Sequence, residues 1–289
     1  MKNFSNKVAA VTGAGSGIGR ALALQLAKEN CNLALADINA AGLEETCELL
    51  KSANVKVTSQ TLDVSDKDAV YQWADQIVAD HGAVHLIFNN AGVALAGTVS
   101  GLELDDYRWI MDINFWGTIY GTKAFLPKLE AAGEGHIINI SSVFGLTAQP
   151  LMSGYNASKF AVRGFTESLR QDLALTDSVV STTCVHPGGI KTNIARSSRM
   201  NSSVASATGS SDQASVKDFE AMFMTTPAQA ANTILKGVKR NKRRVLIGPD
   251  ARLFDWLVRC FPTGYQRLFT WSVKAKANKK KAKSPQAAN

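Results

Sequence analysis

The chain has 289 residues, of which 45% are apolar and 19% charged, as is ordinary for a soluble globular enzyme. The net charge of +8 is uneven, because residues 1–235 carry 17 Lys and Arg against 22 Asp and Glu, whereas residues 236–289 carry 15 against 2. No run reaches the roughly 18 apolar residues of a spanning helix, and the first predicted strand starts too early for a signal peptide. We therefore expect a cytoplasmic protein.

Short apolar runs alternate with helix-length amphipathic stretches along the first two thirds of the chain. The predicted strands are Val8–Val11, Asn32–Ala36, Val55–Leu62, Leu86–Asn89, His136–Ile140 and Val179–Val185. The predicted helical stretches are Gly19–Glu29, Ala41–Ser52, Asp66–Asp80 and Leu104–Leu129. Continuously apolar strands separated by helices indicate a parallel sheet covered on both faces, with right-handed crossovers. The predicted fold is a doubly wound α/β sheet, in a single domain over residues 1–250.

The pattern breaks after Thr192. Residues 196–215 are rich in Ser and lack sustained periodicity, which predicts a mobile loop over 196–225, either a solvated linker or a lid over a substrate. An apolar wall is expected from Phe219, Met222, Phe223 and Met224. Thr226-Pro227 has the signature of a helix start, and Arg244–Gly248 is predicted to be the last short strand.

A glycine-rich turn joins the first strand to the first helix. Its residues are Thr12, Gly13, Ala14, Gly15, Ser16, Gly17, Ile18 and Gly19. Glycines let the backbone approach a pyrophosphate, which rests on the free N–H groups of the helix N-terminus. Glycine also serves ordinary tight turns, but the position after the first strand of a βαβ unit favours nucleotide binding.

Asp37 ends the second strand, 18 residues after Gly19. A carboxylate there can accept hydrogen bonds from both hydroxyls of an adenosine ribose and would repel a 2′-phosphate. The residues that follow, Ile38 and Asn39, carry no positive charge. This position therefore favours NAD over NADP as the cofactor.

Tyr155 and Lys159 are four residues apart in a predicted helix and share one face of it. An ammonium group close to the phenol is expected to lower the pKa of Tyr155 from its usual value of about 10. The pair is then a candidate proton donor and acceptor for an alcohol oxygen. Such pairs also occur as plain surface neighbours, so the assignment depends on the motifs around it.

Several motifs occur together in a fixed order between residues 5 and 250. They are the glycine-rich turn at 12–19, Asp63-Val64, Asn89-Asn90-Ala91-Gly92, Asn114, Ser141-Ser142, Tyr155 with Lys159, and Pro187-Gly188 leading to Thr192. In this combination the sequence resembles the classical short-chain dehydrogenase/reductase family, which has a Rossmann-like fold. The resemblance implies an oxidoreductase that moves a hydride between a nicotinamide and an alcohol or ketone carbon.

The resemblance also implies roles for single residues. Tyr155 would be the general acid/base, Lys159 would bind the nicotinamide ribose and lower the tyrosine pKa, and Asn114 would hold a water of a proton relay. Ser142, 13 residues before the tyrosine, would bind the substrate oxygen, with Ser141 as the competing candidate. The remaining implied cofactor contacts are Asp63 and Val64 at the adenine, Asn90 with Ala91 and Gly92 in the cleft, and Pro187, Gly188, Ile190 and Thr192 at the nicotinamide.

Metal and disulfide chemistry are not expected. The cysteines, Cys31, Cys47, Cys184 and Cys260, form no ligand spacing and are predicted to be buried free thiols. His81 and His85 likewise lack partners at ligand spacing, so we predict no metal site.

Residues 251–289 form an aromatic and basic extension beyond the usual core of the family. Large apolar residues, Trp256 and Phe261 among them, fill 251–271, and a Lys-rich tail follows. The segment is predicted either to pack on the body near the substrate opening or a subunit contact, or to lie on a membrane surface. A nucleic-acid partner is not expected, because no binding module is recognisable.

These observations predict an NAD(H)-dependent oxidoreductase for a bulky apolar alcohol or ketone. Two alternatives stay open: an NADPH-dependent 3-oxoacyl or carbonyl reductase, and a dinucleotide-binding protein without catalysis that associates with a membrane or a partner. The stretches 104–129 and 155–174 resemble the helices that pair subunits in this family, so a homodimer is expected, with a tetramer as the alternative.

Overall fold

A seven-stranded parallel sheet forms the centre of the molecule in the computed structural model. The structure describes residues 1–221 and 223–283, without the side chains of 212, 215, 218, 219, 276 and 279–283. The seven strands are β1 (Val8–Thr12), β2 (Asn32–Asp37), β3 (Val57–Thr61), β4 (Leu86–Asn89), β6 (Gly135–Ile140), β7 (Val180–Pro187) and β9 (Arg244–Ile247). Two short strands, β5 (Leu95–Ala96) and β8 (Arg199–Met200), pair separately.

Helices cover both faces of the sheet. They are α1 (Gly17–Lys28), α2 (Ala40–Leu50), α3 (Lys67–His81), α4 (Leu104–Met111), α5 (Gly117–Ala131), α6 (Ser153–Leu175), α7 (Ser203–Thr208), α8 (Asp212–Glu220), α9 (Pro227–Lys239), α10 (Pro249–Cys260) and α11 (Gly264–Lys283). The strand order is β3-β2-β1-β4-β6-β7-β9. Successive strands are therefore added on one side of β1 up to β3 and on its other side from β4 onward, and a crevice opens between β1 and β4 at the carboxyl ends of the strands.

Burial explains why these residues form a doubly wound sheet. Every residue of β1, β4 and β6 is buried, because helices cover those strands on both sides. Alternate residues of β1 enter separate cores, with Val11 in one and Ala10 in the other. The predicted fold class is confirmed, and all six predicted strands differ from the observed ones by two residues or fewer at either end.

Two predicted features are corrected by the structure. The stretch expected as one helix over Leu104–Leu129 is divided by a π-helical segment, Asp112–Trp116, between α4 and α5. The Ser-rich region expected to lack regular structure contains β8, α7 and α8. Here α7 packs against α11, a tertiary contact that local periodicity does not reveal.

The cysteines are free thiols, but not all of them are buried. Cys31 and Cys184 are buried as expected, whereas Cys47 is half-buried and Cys260, at the end of α10, is exposed. The prediction was wrong for Cys260 because the extension packs on the body with only one side of its helices.

The extension folds as two helices, α10 and α11, that pack against the rest of the molecule. Tyr265 of α11 is buried, and its hydroxyl accepts a hydrogen bond from the Ala148 N–H at 3.2 Å. The rings of Phe254 and Phe269 meet edge to face, with their centroids 5.4 Å apart. None of the helices in the described part of the chain is both long enough and apolar enough to cross a bilayer.

Candidate active site

A cavity of about 540 Å³ lies at the carboxyl ends of the central strands. It brings together most of the residues that the sequence predicts for the site: Gly13, Ser16, Gly17, Ile18, Asp37, Asp63, Val64, Asn90, Ala91, Gly92, Ser142, Tyr155, Lys159, Pro187, Gly188, Ile190 and Thr192. Three predicted residues do not line the cavity: Gly15, Gly19 and Asn114. Residues distant in sequence thus form one elongated crevice.

The glycine-rich turn is shaped to hold an anion against the start of α1. A Cβ atom on Gly19 would lie 2.0 Å from the Gly13 carbonyl oxygen, so only glycine permits this close approach of helix and strand. Ser16 caps the helix without a side-chain hydrogen bond, and no acidic residue occupies the first turn. The free N–H groups and the positive end of the helix dipole therefore fit the pyrophosphate of a dinucleotide.

Asn90 supports this turn from the neighbouring strand. Its amide donates to the carbonyl oxygens of Thr12 at 2.9 Å and Gly13 at 3.2 Å. The Thr12 hydroxyl in turn accepts from the N–H groups of Asn90 and Ala91, both at 3.0 Å. This reciprocal set fixes the strand ends, which accounts for the position of Asn90 at the cleft.

Asp37 projects from the end of β2 toward the glycine-rich turn. One carboxylate oxygen accepts from the Gly15 N–H and the other from the Asn39 N–H, both at 2.8 Å. The carboxylate lines the cavity and is held in place by these bonds, as a ribose acceptor requires. The guanidinium of Arg20 reaches the Gly15 carbonyl at 2.5 Å, but Glu45 engages it at 2.7 Å.

Tyr155 lies in the wall of the cavity and is 7% exposed. Burial raises the pKa of its phenol above the usual value, and a hydrogen bond with Ser142 opposes this shift. The Ser142 hydroxyl also accepts from the Phe144 N–H at 3.1 Å. The adjacent Ser141 instead donates to the Lys159 carbonyl at 2.8 Å. The geometry therefore favours Ser142 over Ser141 as the partner of the tyrosine.

Lys159 shares the buried face of α6 with Tyr155, but the expected lowering of the tyrosine pKa is not found. The Lys159 ammonium lies 5.8 Å from the centre of the Tyr155 ring and donates to the Ile140 carbonyl at 3.1 Å. Burial lowers the pKa of Lys159 to about 8. The expectation was wrong because burial acts on both groups and disfavours both charged forms.

The π-helical segment holds Asn114 directly behind this pair. The Asn114 side-chain oxygen accepts from the Val93 N–H at 2.9 Å, and its amide donates to the Ser158 hydroxyl at 3.0 Å. A Cβ on Gly92 would lie 3.0 Å from that oxygen and 3.3 Å from the Lys159 nitrogen. Gly92 therefore leaves the space in which the two polar groups approach each other.

Among the cavity residues that the sequence did not assign to the site, two belong to α10. Asp250 accepts from the Gly189 N–H at 2.6 Å, and a Cβ on Gly188 would lie 2.2 Å from the same carboxylate oxygen. Phe254 lines the apolar part of the cavity. Both residues follow the segment that carries the motifs. For Asp250 the only sequence signal was Pro249, which starts the helix, whereas Phe254 belongs to the apolar segment that was expected near the substrate opening.

The other end of the cavity is apolar. It is lined by Val93, Ala94, Trp109, Phe144, Met152, Ile194, Phe223 and Phe254. The expected apolar wall is present at Phe223, whereas Met224 is 64% exposed. Met222 and the side chain of Phe219 lie outside the described residues. Trp256 and Phe261 do not line the cavity, because they are on the outer side of the extension.

Comparison with known proteins gives a consistent result. Residues 7–203 match the family profile described as short chain dehydrogenase. The chain is 48% identical over 275 residues to SadH of Mycobacterium tuberculosis, named as an oxidoreductase, and the alignment covers 94% of this chain and 97% of SadH. It is 38% identical over 195 residues to human epidermal retinol dehydrogenase 2, covering 67% of this chain and 63% of that protein.

A solved structure supports the same grouping. A short chain dehydrogenase/reductase from Burkholderia phymatum in complex with NAD superimposes with a TM-score of 0.82 at 30% identity, covering 92% of this chain and 97% of the other.

Proposed function

This chain belongs to the short-chain dehydrogenase family of oxidoreductases, which act on CH–OH groups with a nicotinamide cofactor, and we propose that it uses NAD(H) on a bulky apolar alcohol or its ketone. The observation that carries the proposal is one cavity lined by Tyr155, Ser142 and Lys159, by the residues predicted to bind a dinucleotide, and by a set of large apolar side chains.

The chain's own residues supply the proton chemistry. In alcohol oxidation, Tyr155 takes the proton of the substrate hydroxyl as a phenolate, the form that burial disfavours and the hydrogen bond from Ser142 favours. Once substrate is bound, Ser142 donates its hydrogen bond to the substrate oxygen and fixes it. In ketone reduction, Tyr155 as phenol returns the proton to that oxygen. When bound, the nicotinamide cofactor supplies the hydride chemistry. The polar ends of Lys159 and Asn114 approach each other beside Gly92, and the two side chains are proposed to pass the tyrosine's proton toward solvent.

The surroundings of Asp37 support NAD as the cofactor. The carboxylate is oriented by two backbone N–H groups and would lie against a 2′-phosphate. Arg20 does not offset this repulsion, because Glu45 and the Thr46 hydroxyl engage its guanidinium. We propose that Asp63 and Val64 contact the adenine and that Ile190 and Thr192 hold the carboxamide. Replacing Asp37 also tests the alternative, an NADPH-dependent 3-oxoacyl or carbonyl reductase.

The assembly and location are also proposed. Trp116 on the π-helical segment is 44% exposed and Phe160 on α6 is 38% exposed, so the surface around α5 and α6 presents aromatic rings that a second subunit could cover. We propose a homodimer through this surface, in the cytoplasm. Peripheral contact with a membrane through residues 251–289 is part of the proposal.

The first test measures NADH formation on alcohols of rising size and apolarity, with NADP⁺ as the parallel cofactor. The wild type is compared with Tyr155→Phe and with the control Tyr71→Phe, which removes the same hydroxyl on α3, outside the cavity. We expect turnover that increases with apolarity, falls at least about 10³-fold in Tyr155→Phe and is unchanged in the control. Equal turnover of small polar and large apolar alcohols would contradict the substrate class, and full activity of Tyr155→Phe would contradict the mechanism.

A further inference from the structure

The pair of helices α10 and α11 has an inner face that belongs to the cavity. Phe254 lines the apolar pocket, and its ring packs on Phe269, which in turn packs on Tyr265 with centroids 5.5 Å apart. The Tyr265 hydroxyl accepts a hydrogen bond from the Ala148 N–H, in the segment that leads to α6. Helix α10 therefore forms part of the cavity wall, and α11 packs behind it.

The outer face of the same pair is apolar and open to water. It consists of five large side chains, on the two helices and the turn between them, that are 50–68% exposed: Leu253, Trp256, Phe261, Leu268 and Trp271. Leu253 and Trp256, like Leu268 and Trp271, are three residues apart and so lie side by side on their helix. We call these five residues the outer aromatic face. Exposed apolar groups concentrated in this way mark a surface that binds something.

The charge around the outer aromatic face indicates what binds there. Arg252, Arg259, Arg267 and Lys274 are exposed on the same two helices. Over residues 251–289 the sequence has nine Lys and Arg and a single acidic residue, Asp255. A second copy of the chain meeting this face symmetrically would bring two cationic surfaces together, which is unfavourable. Anionic lipid headgroups above an apolar layer match both the charge and the rings.

We infer that the outer aromatic face docks this enzyme on anionic membranes, and that apolar substrates dissolved in the bilayer reach the cavity under α10. The second part of this inference rests on the proposed function. Tryptophan suits such an interface because its ring is apolar and its N–H can reach the headgroups. Since α10 is both the docked helix and a wall of the pocket, a substrate leaving the bilayer beside Trp256 has a short path to Phe254.

The docking is tested by cosedimentation of the full-length protein with vesicles. Vesicles of phosphatidylcholine alone are compared with vesicles containing about one third phosphatidylglycerol. We expect at least about 10-fold tighter binding to the anionic vesicles, and loss of this preference at about 1 M salt, where the screening length is about 3 Å. The double variant Trp256→Ser/Trp271→Ser is expected to bind at least about 10-fold more weakly. The control is Leu175→Ser, at the 83% exposed end of α6, and should bind like the wild type.

Substrate delivery is tested with the same proteins. For a secondary alcohol dissolved in anionic vesicles, kcat/KM of the double variant should fall about 10-fold, while kcat/KM for a small water-soluble alcohol should stay unchanged. The unchanged activity would also show that the variant is folded.

Three results would overturn the inference. One is a wild type that does not sediment with anionic vesicles. Another is a double variant that binds vesicles as well as Leu175→Ser. The last is a wild-type dimer, insensitive to lipid, that the double variant converts to a monomer, because the face would then belong to a second copy. Vesicle binding without NADH formation from any alcohol would remove the proposed function and substrate delivery, and leave the docking surface in place.

Discussion

At the scale of single residues, burial governs the proton chemistry of the site. Tyr155 and Lys159 are enclosed on α6, so the pKa of the phenol is raised and the pKa of the ammonium is lowered to about 8. Both shifts oppose charge formation inside the protein. The Ser142 hydroxyl acts in the other direction, because its hydrogen bond lowers the pKa of Tyr155. The side chain proposed to fix the substrate oxygen therefore also lowers the pKa of the proposed base.

Replacing Ser142 by Ala should alter the pH dependence as well as the rate. Loss of the hydrogen bond removes an interaction that lowers the Tyr155 pKa, so the ascending limb of kcat/KM for alcohol oxidation should move to higher pH. The rate at neutral pH should fall about 10²-fold or more, as for loss of one oxyanion donor. The measurement is a pH profile of NADH formation, with Ser141→Ala as the control that keeps the limb in place. A Ser142→Ala profile that is lower at every pH but keeps its ascending limb at the same pH would show that Ser142 does not lower the Tyr155 pKa.

Asp37→Asn should relax the choice of cofactor. The amide oxygen can still accept one of the two backbone N–H bonds, so the turn is retained while the negative charge is lost. We expect the ratio of kcat/KM for NADP⁺ to that for NAD⁺ to rise by about 10-fold, because repulsion of a 2′-phosphate disappears. Asp68→Asn, on the exposed start of α3, is the matched control. An unchanged ratio would show that Asp37 does not face the ribose.

At the scale of elements, the first turn of α10 supports the loop that follows β7. Asp250 holds the Gly189 N–H, and Gly188 provides the space for the carboxylate. The same loop is tied to the segment before α9, where the Thr225 N–H donates to the Gly189 carbonyl at 3.2 Å. The proposed nicotinamide contacts, Ile190 and Thr192, thus depend on two later parts of the chain. The domain limit expected at residue 250 falls within this set of contacts, because Asp250 is one of the residues that hold Gly189.

Asp250→Ala should weaken cofactor binding more than it weakens folding. Without the carboxylate the Gly189 N–H loses its partner, and the Kd for NAD⁺ should rise about 10-fold, as for loss of a buried charged hydrogen bond. Asp250→Asn keeps an acceptor oxygen and should recover most of the affinity. Calorimetric titration with NAD⁺ measures the Kd, and the urea midpoint of each variant reports stability. A Kd that rises equally in both variants would show that the charge, and not the bond, matters.

The sequence predicts the elements well wherever one pattern decides the structure. Largely apolar runs predict β1, β4 and β6, because strands buried on both faces consist mostly of apolar residues. The four-residue spacing of Tyr155 and Lys159 likewise places both on one face of α6. The interruption at Asp112–Trp116 was not predictable, since a π-helical turn depends on its packing. Asp250 was missed for a similar reason, because its partner Gly189 is 61 residues away in sequence.

At the scale of the whole molecule, two buried histidines make stability depend on pH. His136 on β6 is fully buried, and burial lowers its pKa to about 3, while that of His186 on β7 is lowered to about 4. In the unfolded chain both would titrate near pH 6.5. Below that pH the unfolded state therefore binds more protons than the folded state, and the free energy of unfolding falls as the pH falls.

The variant His136→Gln tests this dependence. Between pH 6.5 and pH 4 the wild type should lose on the order of 2–3 kcal/mol more of its unfolding free energy than the variant, since glutamine does not titrate. Glutamine can still bond the Thr183 hydroxyl, which His136 contacts at 2.8 Å. Urea unfolding at a series of pH values measures the difference. Parallel pH dependence in the two proteins would place the loss of stability at other groups.

The bond between Asp250 and Gly189 also bears on how the protein is made. During synthesis β1, β2 and the glycine-rich turn leave the ribosome early, so the part of the crevice around that turn can form while most of the chain is still to come. Gly189 receives its partner only after α9 and β9 have been translated. A nascent chain therefore passes through a stage in which half of its crevice is shaped and the other half is open. The part of the crevice around Gly189 is therefore completed last.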